Sequence, residues 1–340
     1  MARPPVSVRE ITAILVSWKD GEDLAAAVAS LAAARARIAP GGVAVSLIVV
    51  DNGGGLSEGS VRAAWPDATV LANAANRGFG PAANQAAAAA RGDVLLFLNP
   101  DTRAEGEPFS PIARALDADE RVVAVAPRLV EMDGGAPPAG ALRLAPPGRE
   151  DQATFQLRRL PTLGSDAREL LLIDHLWPNH EARRRFRYAD ESRDAAFAVE
   201  QAAAAALAVR REAFVACGGF DERYVPAWYE DVDLCARLAS AGTILYLPGA
   251  RFRHRGGESA SRIGYARFLP VFYRNALRYR RDRYGLAARL TYRVLLAKGM
   301  ALRLLLLPFR ADVPRPRPEA ARAYLAVLGL AFGIGDPHAS

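Results

Sequence analysis

Over roughly its first 130 residues the chain alternates short apolar runs with stretches of helical period, and that rhythm restricts the architectures open to it. Residues 11–17, 45–50, 69–71 and 94–98 read as buried strands, and 122–126 as a candidate fifth. Between them, Asp20 is placed to cap a helix whose Leu24, Val28 and Leu31 share one face. Pro81 suits the first turn of a further helix that closes at Gly92. Strands separated by helices pair in parallel and need cover on both faces. The expected fold class is therefore α/β, a Rossmann-like, mostly parallel sheet with helices on both faces. In such sheets ligands lie beyond the carboxyl ends of the strands. Three strands here end on polar loops, Ser17-Trp18-Lys19, Asp51-Asn52 and Asn99-Pro100-Asp101, which should open on one rim.

The rest of the chain is less regular. Residues 134–148 are rich in Pro, Gly and Ala and read as a loop or hinge, and 150–195 are irregular and charged. An alanine-rich apolar run at 199–209 precedes the turn Gly218-Gly219-Phe220-Asp221. A helix opening on Glu230 and a strand at 243–247 follow. Residues 263–310 look like basic amphipathic helices, interrupted by Pro314, Pro316 and Pro318 before a last short helix. Cys217 and Cys235 sit in apolar patterns without metal-type pair spacing, as small buried hydrophobes in a reduced compartment do. The uncharged stretch at 323–335 falls short of the ~18–20 apolar residues a spanning helix needs. The apolar run at 11–18 leads straight into Asp20, Glu22 and Asp23, which suits a strand rather than a signal peptide. A cytoplasmic protein is expected.

Net charge is +7, unevenly placed: residues 251–322 hold 18 Arg/Lys against four acids. Such a region can face an anionic membrane, nucleic acid or water. Nothing beyond that charge suggests nucleic acid, and the expectation is none. For a membrane, Val294, Leu295, Leu296, Leu302 and Leu304 to Leu307 would form the insertion surface. Arg289, Arg293, Lys298, Arg303 and Arg310 would supply charge on nearby turns.

Several motifs carry chemistry. A carboxylate fixed at a strand end, as at Asp101, can hold Mg²⁺ or Mn²⁺ on a diphosphate, although Asn-Pro-Asp is also a turn sequence. Glu230, Asp231 and Asp233 crowd three carboxylates beside Trp228 and Tyr229. Crowding raises a carboxyl pKa toward that of a general base, although acids at a helix start also serve as caps. His254, among arginines, can complete a metal shell or simply sit at the surface. Residues 76–84 contain G-x-G-x-x-A and imitate a dinucleotide fingerprint. They lie in the third βα unit and add Asn76, Arg77 and Asn84, so a mononucleotide fits better.

Taken in order, these motifs resemble family 2 glycosyltransferases with the GT-A fold, over roughly residues 10–285. Leu160-Pro161-Thr162, Trp177-Pro178 and residues 273–279 are similar to bacterial rhamnosyltransferases of surface-polysaccharide assembly. The resemblance implies a catalytic domain at 1–260, its nucleotide-sugar half 1–130 and acceptor half 150–260, followed by a helical, membrane-associating region at 261–340. It implies a dTDP- or UDP-sugar donor near Ser17, Trp18, Asp51, Asn76, Arg77, Gly78, Asn84, Asn99 and Asp101. Asp101 and His254 would hold Mg²⁺ or Mn²⁺. Asp231 would be the catalytic base with Glu230 beside it, and Trp228, Tyr229 and Asp233 would meet the acceptor. That acceptor would be a glycan or a polyprenyl-diphosphate-linked glycan at the inner face of the cell membrane, with a homodimer left open. Two departures stand out: Asn99 replaces an Asp, and Ala204-Ala205 replaces a frequent Gly-Ala pair. The alternatives are a different UDP- or dTDP-sugar and, further away, an NDP-sugar nucleotidyltransferase. The latter needs a Gly-rich basic loop after the first strand, and Ser17-Trp18-Lys19-Asp20 is not one.

Overall fold

The computed structural model describes residues 7–132, 152–256, 263–309 and 317–334. The strands are β1 (Glu10–Ser17), β2 (Ala44–Asn52), β3 (Thr69–Asn73), β4 (Val94–Leu98), β5 (Thr102–Glu105), β6 (Val122–Glu131), β7 (Leu157–Arg158), β8 (Phe197–Val199), β9 (Gln201–Ala202), β10 (Ala206–Arg210) and β11 (Thr243–His254). One mixed sheet has the order β3-β2-β1-β4-β10-β6-β11-β5, with β8 added alongside β11. The pairs β3-β2, β2-β1, β1-β4 and β6-β11 are parallel, while β10 runs antiparallel between β4 and β6. The expected Rossmann-like half is therefore present, and the second half is joined to it by a reversed strand. β7 and β9 make a separate antiparallel pair.

The parallel strands are continuous apolar runs because both faces are covered. All five residues of β4 are buried. Helix Gly21–Arg35 buries Leu24, Val28 and Leu31 as its spacing requires. Asp20 does not cap it, however: its carboxylate turns back to accept the Trp18 amide at 2.8 Å. Pro81 lies in the first turn of helix Phe79–Ala89. The candidate strand at 122–126 is β6, and it runs on to Glu131. β11 also runs on past Leu247, where the strand was expected to end, through an irregularity before Arg251, so His254 is the last residue of a strand. The loop expected at 134–148 lies outside the described residues.

Gly92, before β4, lies against β1. A Cβ there would stand 2.7 Å from Thr12 Oγ1, 2.8 Å from Thr12 N and 2.9 Å from the Glu10 carbonyl. Two of these three atoms are backbone of a fully paired strand and cannot yield. Gly92→Ala is expected to lower unfolding free energy by roughly 1–3 kcal/mol, the usual overpacking cost. Urea denaturation followed by circular dichroism measures it, and an unchanged midpoint would contradict the contact.

The chain divides into two compact units, and residues 160–190 group with the C-terminal helices rather than with the sheet. In that second unit the long helix Tyr265–Leu306 is broken at Gly285, whose φ of 83° is non-helical. Gly299 lets this helix approach helix Leu163–Leu170: an added Cβ would lie 2.8 Å from the Leu170 carbonyl. Arg280 is fully buried and pairs with Asp166, donating from Nε to Oδ2 at 2.8 Å. Its guanidinium lies over the Tyr292 ring, 4.7 Å from the centroid. Four side chains assigned to a lipid-facing surface from sequence are in fact interior. Arg289, Arg303, Leu296 and Leu307 are buried, and Arg303 donates to the backbone carbonyls of Glu169, Leu170 and Gly299. The kink at Gly285 resets the helical phase, so the inward face differs from that of an unbroken helix. Arg310 lies outside the described residues. Among the described residues no helix is long and apolar enough to cross a membrane.

Candidate active site

Parallel register brings the carboxyl ends of the first strands together. Ser17 pairs with Asp51, and Asn52 pairs with Asn73. Both Asp51 carboxylate oxygens accept backbone amides, from Gly54 at 2.7 Å and Leu56 at 2.8 Å. This fixes the loop after β2 and leaves each oxygen a further lone pair. Gly54 packs on the loop after β1, where an added Cβ would stand 2.8 Å from Lys19 N. Lys19 adopts a φ of 63°, and its ammonium lies 5.2 Å from the centre of the half-buried Trp18 ring. Ser17 Oγ donates to Asp20 at 3.4 Å.

Asn52 organises the third loop. Its amide donates to Asn76 Oδ1 at 3.0 Å and the Gly78 carbonyl at 3.1 Å. Its oxygen accepts from Asn73 Nδ2 and Arg77 N, both at 3.1 Å. Asn76 Oδ1 in turn accepts the Gly78 amide at 2.8 Å, and Arg77 is left exposed. Gly78, at φ 93°, meets the loop before the acidic helix: an added Cβ would lie 2.9 Å from Val225 Cγ1. Asn84 donates to the Phe220 carbonyl at 2.8 Å and Glu222 at 3.1 Å, and accepts from Phe220 N at 2.9 Å. It therefore clasps the Gly218-Gly219-Phe220 turn, and both of its amide protons are used there rather than on a ligand.

The loop after β4 carries Asn99 and Asp101. Asn99 N donates to the Ala205 carbonyl at 3.1 Å. On the other side of the same short segment, Ala204 N donates to Asp231 Oδ2 at 3.4 Å. Ala204-Ala205 thus links the Asp101 loop to the acidic helix. Asp101 lies next to Thr102, which pairs with His254 across β5 and β11. His254 Nε2 stands 3.4 Å from Asp101 Oδ1, and both residues are buried.

The tautomer of His254 follows from Gln152. The Gln152 amide donates to the His254 carbonyl at 2.6 Å, so its other end, 2.7 Å from His254 Nδ1, is the oxygen. Nδ1 therefore carries a proton and Nε2 aims at a carboxylate. Two electron-rich atoms so placed require a proton or a cation between them. With the proton there, burial opposes ionisation of Asp101, but the charge and hydrogen bond of His254, with the Gly256 amide, hold its carboxyl below the ordinary range. An imidazole nitrogen and a carboxylate oxygen suit Mn²⁺ or Mg²⁺ when phosphate oxygens complete the shell. Among the described residues no group of three His, Cys, Asp or Glu could hold a metal ion. The pair thus fits a cation shared with a diphosphate rather than a closed protein cage. Phe155 stacks on the imidazole at 5.7 Å. Behind the loop, the buried Asp23 joins Arg103 at 3.1 Å and Arg255 at 3.1 Å.

Helix Glu230–Leu238 begins after two aromatic residues in left-handed conformation, Trp228 (φ 73°) and Tyr229 (φ 75°). Such residues cost roughly 1–3 kcal/mol each and persist where surrounding structure over-determines them. They deliver Glu230 and Asp231 to the positive end of the helix. Glu230 is buried, and its Oε2 has no hydrogen-bond partner among the described residues. Burial first, and then the adjacent Asp231 charge, push the Glu230 carboxyl well above the ordinary value. Burial also raises Asp231, opposed by the Val232 and Ala204 amides and by the charge of Arg158. Asp231 accepts two backbone amides, from Val232 and Ala204, while Glu230 Oε2 accepts none among the described residues, so Asp231 is the member of the pair placed to act ionised. Asp233, expected on the acceptor side, is engaged by Arg237 at 2.6 Å. Arg237 also donates to the Cys217 and Gly219 carbonyls at 2.6 Å, so this ion pair braces the Gly218-Gly219 turn.

The sequence reading missed Asn52 as the organiser of the loop after β3 and Gln152 as the residue that orients His254. Asn52 was visible within the Asp51-Asn52 motif; Gln152 had no local signal. Asn52→Ala removes four hydrogen bonds from one loop. Nucleotide-sugar binding is expected to weaken roughly tenfold by calorimetry, since each neutral bond contributes about 0.5–1.5 kcal/mol. Unchanged affinity would separate that loop from the donor site.

Residues 12–167 match the sequence model described as glycosyl transferase family 2. N-acetylglucosaminyl-diphospho-decaprenol L-rhamnosyltransferase from Mycobacterium tuberculosis is 28% identical over 308 residues, 85% of this chain and 90% of that protein. Mannosyltransferase PcManGT from Pyrobaculum calidifontis, solved with GDP-Man and Mn²⁺, aligns at a TM-score of 0.51 and 14% identity, covering 96% of this chain and 87% of that one. GalNAc-T7, solved with UDP, GalNAc and Mn²⁺, also aligns at 0.51 and 14%, over 73% of this chain and 43% of its own. The chain is accordingly a glycosyltransferase of the GT-A fold, and its residues 12–167 carry the family 2 pattern.

Proposed function

We propose that the protein transfers rhamnose, with inversion, from dTDP-rhamnose to a hydroxyl of a polyprenyl-diphosphate-linked glycan in cell-surface polysaccharide synthesis. The observation that carries the reading is the short bridge between two sites. Ala204 binds the Asp231 carboxylate, and Ala205 binds the backbone of the Asp101 loop. A base and a diphosphate site held by adjacent residues suit direct displacement at a sugar carbon between them. The rhamnosyltransferase similarity supports the choice of donor sugar and acceptor.

In this reading the loops after β1, β2 and β3 hold the nucleotide, with Asp51 facing the base and Asn76 and Gly78 near the ribose and diphosphate. Asp101 and His254 hold the divalent cation, which when bound offsets charge on the leaving diphosphate. Asp231 takes the proton of the acceptor hydroxyl. The oxygen forms its bond to the anomeric carbon as the carbon–oxygen bond to the diphosphate breaks, and the nucleoside diphosphate departs with that electron pair. Glu230, protonated, leaves Asp231 as the charged member of the pair. Trp228 and Tyr229, beside it, line the acceptor side.

A panel of nucleotide sugars, tested for binding and slow hydrolysis with Mn²⁺ or Mg²⁺, tests the donor assignment. dTDP-rhamnose should bind and turn over best. Preference for a UDP-hexose would replace the sugar and retain the reaction class.

A further inference from the structure

The exposed apolar side chains are not spread evenly. Of the thirteen large ones among the described residues, eleven fall in the second compact unit and only Val215 and Val225 in the sheet unit. Scattered exposed leucines need no explanation, but a concentration of this kind marks a contact surface. Beyond the kink at Gly285 they form a stripe. Leu286, Leu290, Val294, Leu305 and Phe309 are 62, 48, 55, 73 and 84% exposed. With Lys298 and Ala301, both exposed, they follow steps of three or four residues along one helix face.

The chemistry around the stripe selects its occupant. Residues 263–309 carry ten Arg/Lys against a single acid, Asp282. Exposed Arg281 and Arg283 precede the stripe, and exposed Lys298 interrupts it. A second copy docking by two-fold symmetry would set this patch against itself and bring like charges together. A layer that is apolar within and anionic at its surface meets both components at once. Trp177, 62% exposed in the same unit, has the amphipathic ring that favours a membrane–water boundary.

We propose that the Leu286–Phe309 face of the C-terminal unit lies in the surface of an anionic lipid bilayer, parallel to it and without crossing. This face keeps Val294 and Leu305 from the one read from sequence, adds Leu286, Leu290 and Phe309, and loses Leu296, Leu307, Arg289 and Arg303, which are buried. The inference stands apart from the donor sugar and deepens the acceptor reading, since a polyprenyl-linked acceptor is membrane-bound.

Co-sedimentation of the full chain with vesicles tests it. Binding to phosphatidylglycerol-containing vesicles is expected at low salt, falling about tenfold with pure phosphatidylcholine or at about 1 M salt, where charges are screened within a few ångströms. The double substitution Leu290→Glu with Leu305→Glu should lower vesicle binding at least ~tenfold, with the melting temperature and donor hydrolysis in solution unchanged. Absence of anionic-vesicle binding, or binding unaffected by the double substitution, would overturn the assignment. So would a dimer in sedimentation equilibrium that this substitution dissociates, because the face would then belong to a second copy. Donor hydrolysis is read without vesicles, so failure of the transferase reading and failure of the membrane face are separable.

Discussion

Asp231→Asn is expected to reduce transfer at least ~10²-fold while leaving donor affinity nearly unchanged, the pattern that follows loss of a general base. The amide is isosteric, and its single oxygen can keep the Val232 amide bond, now 2.8 Å, at the cost of the longer 3.4 Å bond from Ala204, so the fold should survive. The pH dependence adds a second readout. Burial raises the Asp231 carboxyl, and the base works only when unprotonated. Activity should therefore rise with pH through a limb above the ordinary aspartate value and be lost as pH falls through it. That limb belongs to the Glu230–Asp231 pair as a whole. Because Glu230 is already protonated when Asp231 ionises, Glu230→Gln should leave the limb nearly in place. Near-normal turnover in Asp231→Asn would remove this residue from the chemistry.

Loss of the cation should be comparably severe. His254 Nε2 and Asp101 Oδ1 face each other at 3.4 Å with the imidazole oriented by Gln152, an arrangement ready to share a cation. A chelator should abolish transfer, and Mn²⁺ or Mg²⁺ should restore it. Asp101→Ala should cost at least ~10²-fold, because it removes the only carboxylate of the proposed ligand pair and leaves developing diphosphate charge less compensated. Metal affinity read by calorimetry in the presence of dTDP should fall in parallel. Full activity in excess chelator would contradict the assignment.

What the sequence made legible follows from how locally each feature is encoded. β1, β2 and β4 are continuous apolar runs between helices, and their polar ends could be placed on one rim before any coordinates. β5 could not be read, because its Thr-Arg-Ala-Glu sequence is that of a polar edge strand and its pairing with β11 joins residues about 150 positions apart. The irregularity between Leu247 and Arg251 hid the continuation of β11 as far as His254. Gln152 was illegible for a related reason: its role exists only through His254, 102 positions away. Asp233 was a different error. Its partner Arg237 stood four residues on, a helical ion-pair spacing, but the crowding of three acids drew attention to chemistry instead. In the C-terminal unit the leucines and arginines were recognised, and the left-handed Gly285 decided which of them face inward.

The proposed reaction is direct displacement, with Asp231 deprotonating the acceptor across from a diphosphate held near Asp101 and His254. Proton NMR of the anomeric centre in the product, formed from the preferred nucleotide sugar, tests it in one measurement. A single product is expected, with its anomeric configuration inverted relative to the donor. A product with retained configuration would contradict it, because one in-line displacement assisted by one base cannot give that outcome.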